Sequence, residues 1–266
     1  MITLCIPGCC GKMGSLIGQL ALGDSAYQLV GAVERKGHPA VGRPVSSFLK
    51  TDLSVTVTDD FQEAAASADV IIDFTNPAAT LGHLTVAQKL GVPMVVGATG
   101  FSDDEKKEIG RVASRIPVVY SPNMSLGANL LFQLVRQVSS RLEGYEAEIV
   151  ELHHRLKKDA PSGTALRLAE LIAGERGRSL KDVGVFEREG VVGPRTADEI
   201  GVLALRGGDI VGEHTVYFLA DGERIELTHK VTSREAFARG ALRAARFIVG
   251  KKPGLYSMED VLLSNQ

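Results

Sequence analysis

Apolar residues along the first half of this chain fall in two alternating patterns. Short runs such as Ile2–Ile6 are apolar but for a single threonine, the mark of a strand buried on both faces. Between them lie longer stretches in which apolar residues recur every three to four positions, the mark of a helix with one buried face. This reading predicts strands over 28–33, 69–75, 93–98 and 117–120. It predicts helices running to about Leu22, from Asn76-Pro77 onward, and from Ser102 to about Arg115. Asn76-Pro77 is a helix start with proline in the first turn, and Ser102-Asp103-Asp104-Glu105 spells a capping box. Repeated strand–helix units predict a parallel, doubly wound sheet, whose ligands bind at the carboxyl ends of its strands.

The second half changes period. Leu126, Leu130, Leu134 and Val138, with Leu131, Val135 and Leu142 beside them, predict a helix over 125–142 whose apolar stripe faces a core. A strand over 145–152 and a helix from Ser162 to about Glu175 follow. Gly207-Gly208 and Asp221-Gly222 read as two-residue turns between strands. Residues 224–231 mostly alternate apolar and polar, which predicts one buried face. The expectation is a mixed or antiparallel sheet in a second, smaller α+β domain, with a last helix from Arg234 to Val249 returning to the first. We place the domains at 1–125, completed by 235–266, and at 126–234.

Composition narrows the class. With 266 residues, 44% hydrophobic and 23% charged, the chain is ordinary globular protein. A net charge of −2 gives no global affinity for nucleic acid or an anionic membrane. No apolar run approaches the roughly 20 residues of a membrane span, and Met1–Ile6 lacks a basic leader, so a cytoplasmic protein is expected. Cys5, Cys9 and Cys10 are odd in number and clustered, which gives no disulfide framework, and no metal site is expected.

Two stretches bear chemistry. Gly8-Cys9-Cys10-Gly11-Lys12-Met13-Gly14 is a glycine-rich turn between a strand and a helix. Gly8 suits a tight bend, Gly11 the approach of a pyrophosphate, and Gly14 close packing of helix on strand. Glu34 ends the second predicted strand, 20 positions past Gly14, where a carboxylate would hold an adenosine ribose hydroxyl. Arg35 and Lys36 follow and would attract a 2′-phosphate, so both NADH and NADPH are expected cofactors. Thr75, 97–99 and 121–124 also fall at strand ends. The second stretch, Glu151–Leu166, holds His153, His154, Arg155, Lys157 and Lys158, then restarts as a helix at Ser162. A helix start and nearby cations favour a substrate with carboxylates, and a histidine beside them suits proton transfer near neutrality. The bland readings are a solvated turn at Glu34–Lys36, a solvated face at Lys157-Lys158, and one structural histidine of the pair. His214 and His229 read as structural, and Met13 and Met124 as packing residues.

The Glu151–Ala165 run resembles the signature of the dihydrodipicolinate reductase family, and the resemblance extends over essentially the whole chain. Gly8–Gly14, Asp73–Pro77, Gly97–Phe101, Ser121-Pro122-Asn123 and Gly212–Thr215 support it. It implies a Rossmann-like first domain and a second domain for substrate and oligomerisation. It also implies NAD(P)H-dependent reduction of 4-hydroxy-tetrahydrodipicolinate in the diaminopimelate route to lysine, and a homotetramer. It makes His153 the proton donor and Lys157 a second acid. It places His154, Gly163, Thr164 and Arg234 at the substrate. It places Gly8, Cys9, Cys10, Gly11, Lys12, Met13, Glu34, Arg35, Gly97, Ala98, Thr99, Ser121, Pro122, Asn123 and Met124 at the cofactor. Two departures stand out: Ala98 replaces a threonine usual in the family, and Cys9-Cys10 replace smaller residues, which makes Cys10 an expected reactive thiol. The rival readings are an oxidoreductase acting on an amino-acid imine and a cofactor-binding sensor without turnover. The paired cations after the histidines speak against the first, and His153 with Lys157 against the second.

Overall fold

The structure is a computed structural model that describes residues 1–264. The chain divides into two compact units, Met1–Leu126 with the segment from Glu235 onward, and Gly127–Arg234.

In chain order the first unit opens with β1 (Ile2–Pro7), α1 (Lys12–Leu22), β2 (Tyr27–Val33), β3 (Val57–Thr58) and α2 (Phe61–Ala65). It continues with β4 (Val70–Asp73), α3 (Pro77–Leu90), β5 (Met94–Val96), α4 (Asp103–Ala113) and β6 (Pro117–Tyr120). α5 (Leu126–Ser139) begins at the last residue of this segment. The second unit holds β7 (Glu146–His153), α6 (Gly163–Glu175), α7 (Leu180–Val183), β8 (Gly184–Val185), β9 (Ile200–Arg206), β10 (Gly212–Ala220) and β11 (Glu223–Val231). α8 (Glu235–Ile248), β12 (Gly254–Tyr256) and α9 (Met258–Leu263) return to the first unit.

The first unit is the doubly wound, Rossmann-like sheet that the pattern predicts. Its seven strands run in the order β12-β6-β5-β4-β1-β2-β3, and every pairing is parallel. Because strand side chains alternate, Leu4, Ile6, Ile72, Val95 and Val119 pack with Ile17, Ala241 and Ala245 on one face. Cys5, Ile71, Met94, Val96 and Val118 pack with Leu84, Ile109 and Val112 on the other. The proline-started α3 is capped by Asn76, and α4 carries the full Ser102–Glu105 capping box. β1 lies between β2 and β4, so the strand order reverses there, the place where such sheets bind ligands.

The second unit is a mixed sheet in the order β11-β10-β7-β9-β8. α6 lays Leu168, Ala169 and Ile172 on Ala147, Ile149, Val202, Val216 and Phe218. Three sequence expectations need correction. Asp221-Gly222 is a hairpin turn, since Ala220 pairs with Glu223, but Gly207-Gly208 is not. β7 lies between β9 and β10, parallel to one and antiparallel to the other, so residues 207–211 cross the end of β7. The alternating β11 is an edge strand that buries little: Ile225 is exposed and only Val231 is fully covered. On α5 the buried positions are Ala128, Asn129, Leu131, Val135 and Ser139, while Leu130 and Leu134 are exposed. The regular four-residue leucine spacing therefore marked the flank of the core face rather than its centre.

Candidate active site

In the first unit the glycine-rich loop follows β1 directly. Gly8 adopts φ +68°, a left-handed conformation open to glycine at little cost. A β-carbon on Gly14 would stand 2.2 Å from the Gly8 carbonyl oxygen, so only glycine lets α1 start this close to the turn. Gly11 precedes α1 without any side-chain cap, which leaves the helix end open to an anion. Glu34, just past β2, accepts a hydrogen bond from the Cys10 N–H at 2.9 Å, so the expected ribose-binding carboxylate lies against the loop. An uncapped helix start, a cradle that side chains would fill and an adjacent carboxylate together fit a dinucleotide.

Asp73, fully buried at the end of β4, accepts from the Thr75 N–H at 2.7 Å and its hydroxyl at 2.6 Å, and pairs with His83 Nδ1 at 2.7 Å. The bonded Thr75 puts its methyl where a β-carbon on Gly8 would stand 2.9 Å away. Sequence reading named Asp73 within a motif and missed this supporting role. Of the other expected cofactor residues, Gly11, Lys12, Arg35, Thr99 and Pro122 are exposed, and Met13, Gly97 and Asn123 are partly so. Cys9, Ala98, Ser121 and Met124 are buried. Ser121 donates its hydroxyl to the Asn123 carbonyl at 2.8 Å, and the Asn123 side chain accepts from the Ser125 N–H at 2.9 Å, which fixes this strand-end turn.

Cys9, Cys10 and Glu34 each offer a ligand atom within 4.8 Å of one another. Burial pushes the Cys9 and Cys10 thiols above the ordinary range, and the Glu34 charge adds to it. Thiolates, not thiols, bind metals and react, so the setting opposes the reactive Cys10 expected from sequence.

In the second unit the sheet alternation builds the site. One face of β7 runs Ala147, Ile149, Glu151, His153, so two core residues lead into a carboxylate and an imidazole. Glu151 is fully buried. It pairs with His153 Nδ1 at 2.6 Å, accepts the Ser162 N–H at 2.9 Å, and accepts both arms of Arg206 at 2.8 and 2.9 Å. Burial alone would raise its carboxyl, but the hydrogen bonds from His153, Arg206 and Ser162 outweigh burial and hold it down to about 2. The carboxylate that orients His153 thus also holds the residue that caps α6, where Ser162 Oγ accepts the Ala165 N–H at 3.2 Å.

Ser162 Oγ lies 3.0 Å from Nε2 of His214, which is 4% exposed on β10. Burial first, then the neighbouring His153, push His214 down to about 3, so it stays neutral. The structural reading of His214 fits this setting. Lys157 is paired with the Asp159 carboxylate at 2.8–2.9 Å, and its backbone N–H donates to the His154 carbonyl at 3.1 Å. His154 Nδ1 accepts the Leu156 N–H at 3.2 Å. The crossing loop closes the end of β7: His154 N–H donates to the Ile210 carbonyl at 2.7 Å, and Gly207 N–H to the His153 carbonyl at 3.0 Å. Gly163 and Thr164 form the first turn of α6. Arg234 stands outside this bonded set, exposed at the last residue of the unit. Sequence reading placed Ser162 at the start of α6, where it is the cap, but missed Glu151 and Arg206 as site residues. The i,i+2 spacing of Glu151 and His153 on a strand was a usable signal; Arg206, 55 positions from Glu151, offered none.

Comparison with known proteins agrees over both units. Residues 2–124 match the N-terminus of dihydrodipicolinate reductase and residues 127–262 its C-terminus. A 4-hydroxy-tetrahydrodipicolinate reductase of Syntrophobacter fumaroxidans is 48% identical over 98% of this chain and 99% of its own. One from an Anaeromyxobacter species is 49% identical over 98% of each. Among solved structures, a dipicolinate-bound dihydrodipicolinate reductase from Paenisporosarcina superposes with TM-score 0.77 at 23% identity, covering 99% of this chain and 100% of that one. An amine dehydrogenase from Mycobacterium smegmatis shares the fold at TM-score 0.63 and 12% identity, covering 100% and 97%. With family matches spanning both units and near-full-length identity approaching one half, the chain belongs to the dihydrodipicolinate reductase family.

Proposed function

We propose that the two units divide the work of this family's reaction, the reduction of 4-hydroxy-tetrahydrodipicolinate in the diaminopimelate route to lysine. NADH or NADPH is assigned to the first unit. Gly8, Cys9, Cys10, Gly11, Lys12 and Met13 would embrace its pyrophosphate at the open start of α1. Glu34 would take the ribose hydroxyls and Arg35 a 2′-phosphate, while Gly97–Thr99 and Ser121–Met124 would line the other end. When bound, this group supplies a hydride.

The residues of the second unit hold the substrate and deliver a proton. Gly163 and Thr164 would receive a substrate carboxylate at the positive end of α6, with His154, Lys157 and Arg234 as further contacts. Negative charge develops on the conjugated ring as it is reduced, and His153 gives the proton that quenches it. With Nδ1 engaged by Glu151, the atom left to serve is Nε2. Lys157 places a cation nearby and acts as the second acid. General acid catalysis of this kind is worth roughly 10²–10⁴-fold, or about 3–5 kcal/mol. We also assign self-association to the second unit, whose edge strand leaves Ile225 exposed; light scattering that returns a monomer mass at working concentration removes that assignment.

One observation favours this reading above its rivals: a single buried carboxylate bonds both His153 and the N–H of Ser162, so the proton donor and the anion-binding helix start are held together. A sensor has no use for that pairing. The test is a coupled assay in which pyruvate and aspartate semialdehyde are condensed in situ and cofactor absorbance is followed. His153→Gln and Lys157→Ala should lose turnover while still binding NADH. Undiminished turnover in both would refute the assigned roles.

A further inference from the structure

We infer that Arg206 is a positioning residue for both proton-handling side chains, acting through Glu151 on His153 and through the Asp159 backbone on Lys157. This rests on the roles given above to those two side chains. Arg206 closes β9, opposite His153 in the parallel register with β7. Its guanidinium grips both oxygens of Glu151 at 2.8 and 2.9 Å, and Nη2 also donates to the Asp159 carbonyl at 2.8 Å. Asp159 in turn holds the Lys157 ammonium by its carboxylate. One planar fork thus fixes the end of β7 and the loop beyond it, a bidentate task that lysine cannot perform.

The arrangement also sets charge. A buried carboxylate beside an imidazole favours the protonated ring; a guanidinium on the same carboxylate opposes that. The carboxylate that engages His153 Nδ1 is thus engaged by Arg206 as well, so removing either side chain changes the charge facing the ring. The other charged or titratable groups around the ring are His214 on β10, with ring centroids 5.3 Å apart, His229 opposite His214 on β11, and Lys157 with Asp159 on the loop. His214 is neutral, and the Lys157 ammonium is held by the Asp159 carboxylate. Glu151 and Arg206 are thus the opposed charges with direct leverage on His153. Gly212 completes the cradle. A β-carbon there would come within 3.0 Å of His153 Nε2, so the strand facing the ring is kept bare.

The experiment is the pH profile of kcat/KM in wild type, Arg206→Gln, Arg206→Lys, Glu151→Gln and His153→Gln, with NADH binding as the check on folding. Rate should fall as pH rises, as a reaction that needs a general acid requires. Arg206→Gln should move that limb upward by about one pH unit, and Glu151→Gln downward by a similar amount. Arg206→Lys should restore the limb but not the rate, because charge returns without the fork. Opposite displacements cannot arise from loosened packing, which lowers rate at every pH. If either Gln variant fails to bind NADH, the His153 ring tautomer read by nitrogen NMR in wild type decides. A neutral ring with its proton on Nδ1 supports the inference, and one with its proton on Nε2 overturns it. Inactive His153→Gln with unmoved limbs overturns the role of Arg206 alone; active His153→Gln overturns the functional reading and this inference with it.

Discussion

In the first unit the candidate cofactor residues are brought together by backbone. β1, β2, β4, β5 and β6 end on one edge, and what those ends present is largely main chain: a left-handed Gly8, an uncapped helix start after Gly11, a turn at Ser121–Asn123. In the second unit the candidate acids are brought together by side chains. Glu151 alone accepts hydrogen bonds from three residues of different elements and loops. The difference follows from the work each performs. Holding a pyrophosphate needs N–H groups and room, which glycine and a helix start supply. Delivering a proton needs one imidazole nitrogen committed and the other available, which only a shaped polar network can arrange.

The contrast is broken most directly by deleting the acid. His153→Gln should lower kcat roughly 10²–10⁴-fold and leave NADH affinity within about twofold of wild type, as measured by fluorescence titration. The mirror change is Gly14→Ala, whose β-carbon would sit 2.2 Å from the Gly8 oxygen. Overpacking of about 1–3 kcal/mol should weaken cofactor binding roughly 10–100-fold and leave the pH profile in place. If both variants lose cofactor binding alike, the division of labour is wrong.

Gly212→Ala sharpens the comparison, because it is a glycine in the side-chain site. Its β-carbon at 3.0 Å from His153 Nε2 requires the ring to yield. Turnover should fall about tenfold, about 1.4 kcal/mol in barrier, with NADH affinity unaltered. Smaller still is Glu34→Gln. Removing a charge that repels a 2′-phosphate should favour NADPH over NADH by a few fold, about 0.5–1 kcal/mol, read as the ratio of the two kcat/KM values.

Legibility in the sequence divides along the same line. The first unit was readable because its signals are local: apolar runs, capping residues at Asn76 and Ser102, and glycines at fixed spacing all lie within a few residues of what they determine. The Gly8–Gly14 spacing told where a helix would start and which residue would bend. The second unit was readable only where the chemistry sits on one strand, as with His153 and the run after it. Arg206 reaches Glu151 from a strand that must first be placed beside β7, and parallel pairing leaves no turn signature between the two strands. For the same reason Gly207-Gly208 looked like a hairpin: nothing nearby says that β7 lies between β9 and β10. The leucine stripe of α5 erred differently. The helix is apolar around much of its circumference, and spacing alone does not say which leucines meet the sheet.

The last prediction has no effect at neutral pH and grows with acid, and it tests the side-chain network without touching the acid itself. His214 is held neutral in the fold, at about 3 against an ordinary value of 6.5. A group whose folded value is depressed contributes stability that is complete above its unfolded value and lost as pH falls toward the folded one. The unfolded chain therefore gains a proton at His214 below 6.5 that the folded unit refuses until about 3. The cost should be on the order of 1 kcal/mol by about pH 5.7. Glu151, held at about 2, has the same sign but enters only below the ordinary carboxyl range. His214→Gln can still bond Ser162 but cannot titrate. Between neutrality and about pH 4.5 the denaturant midpoints of the two proteins should separate, the variant's curve being the flatter; below that both should also fall as Glu151 and other carboxylates titrate, with the gap still widening toward about pH 3. Parallel curves through that upper window would mean that His214 titrates alike in both states, and that the network does not exclude the proton as its burial beside His153 requires.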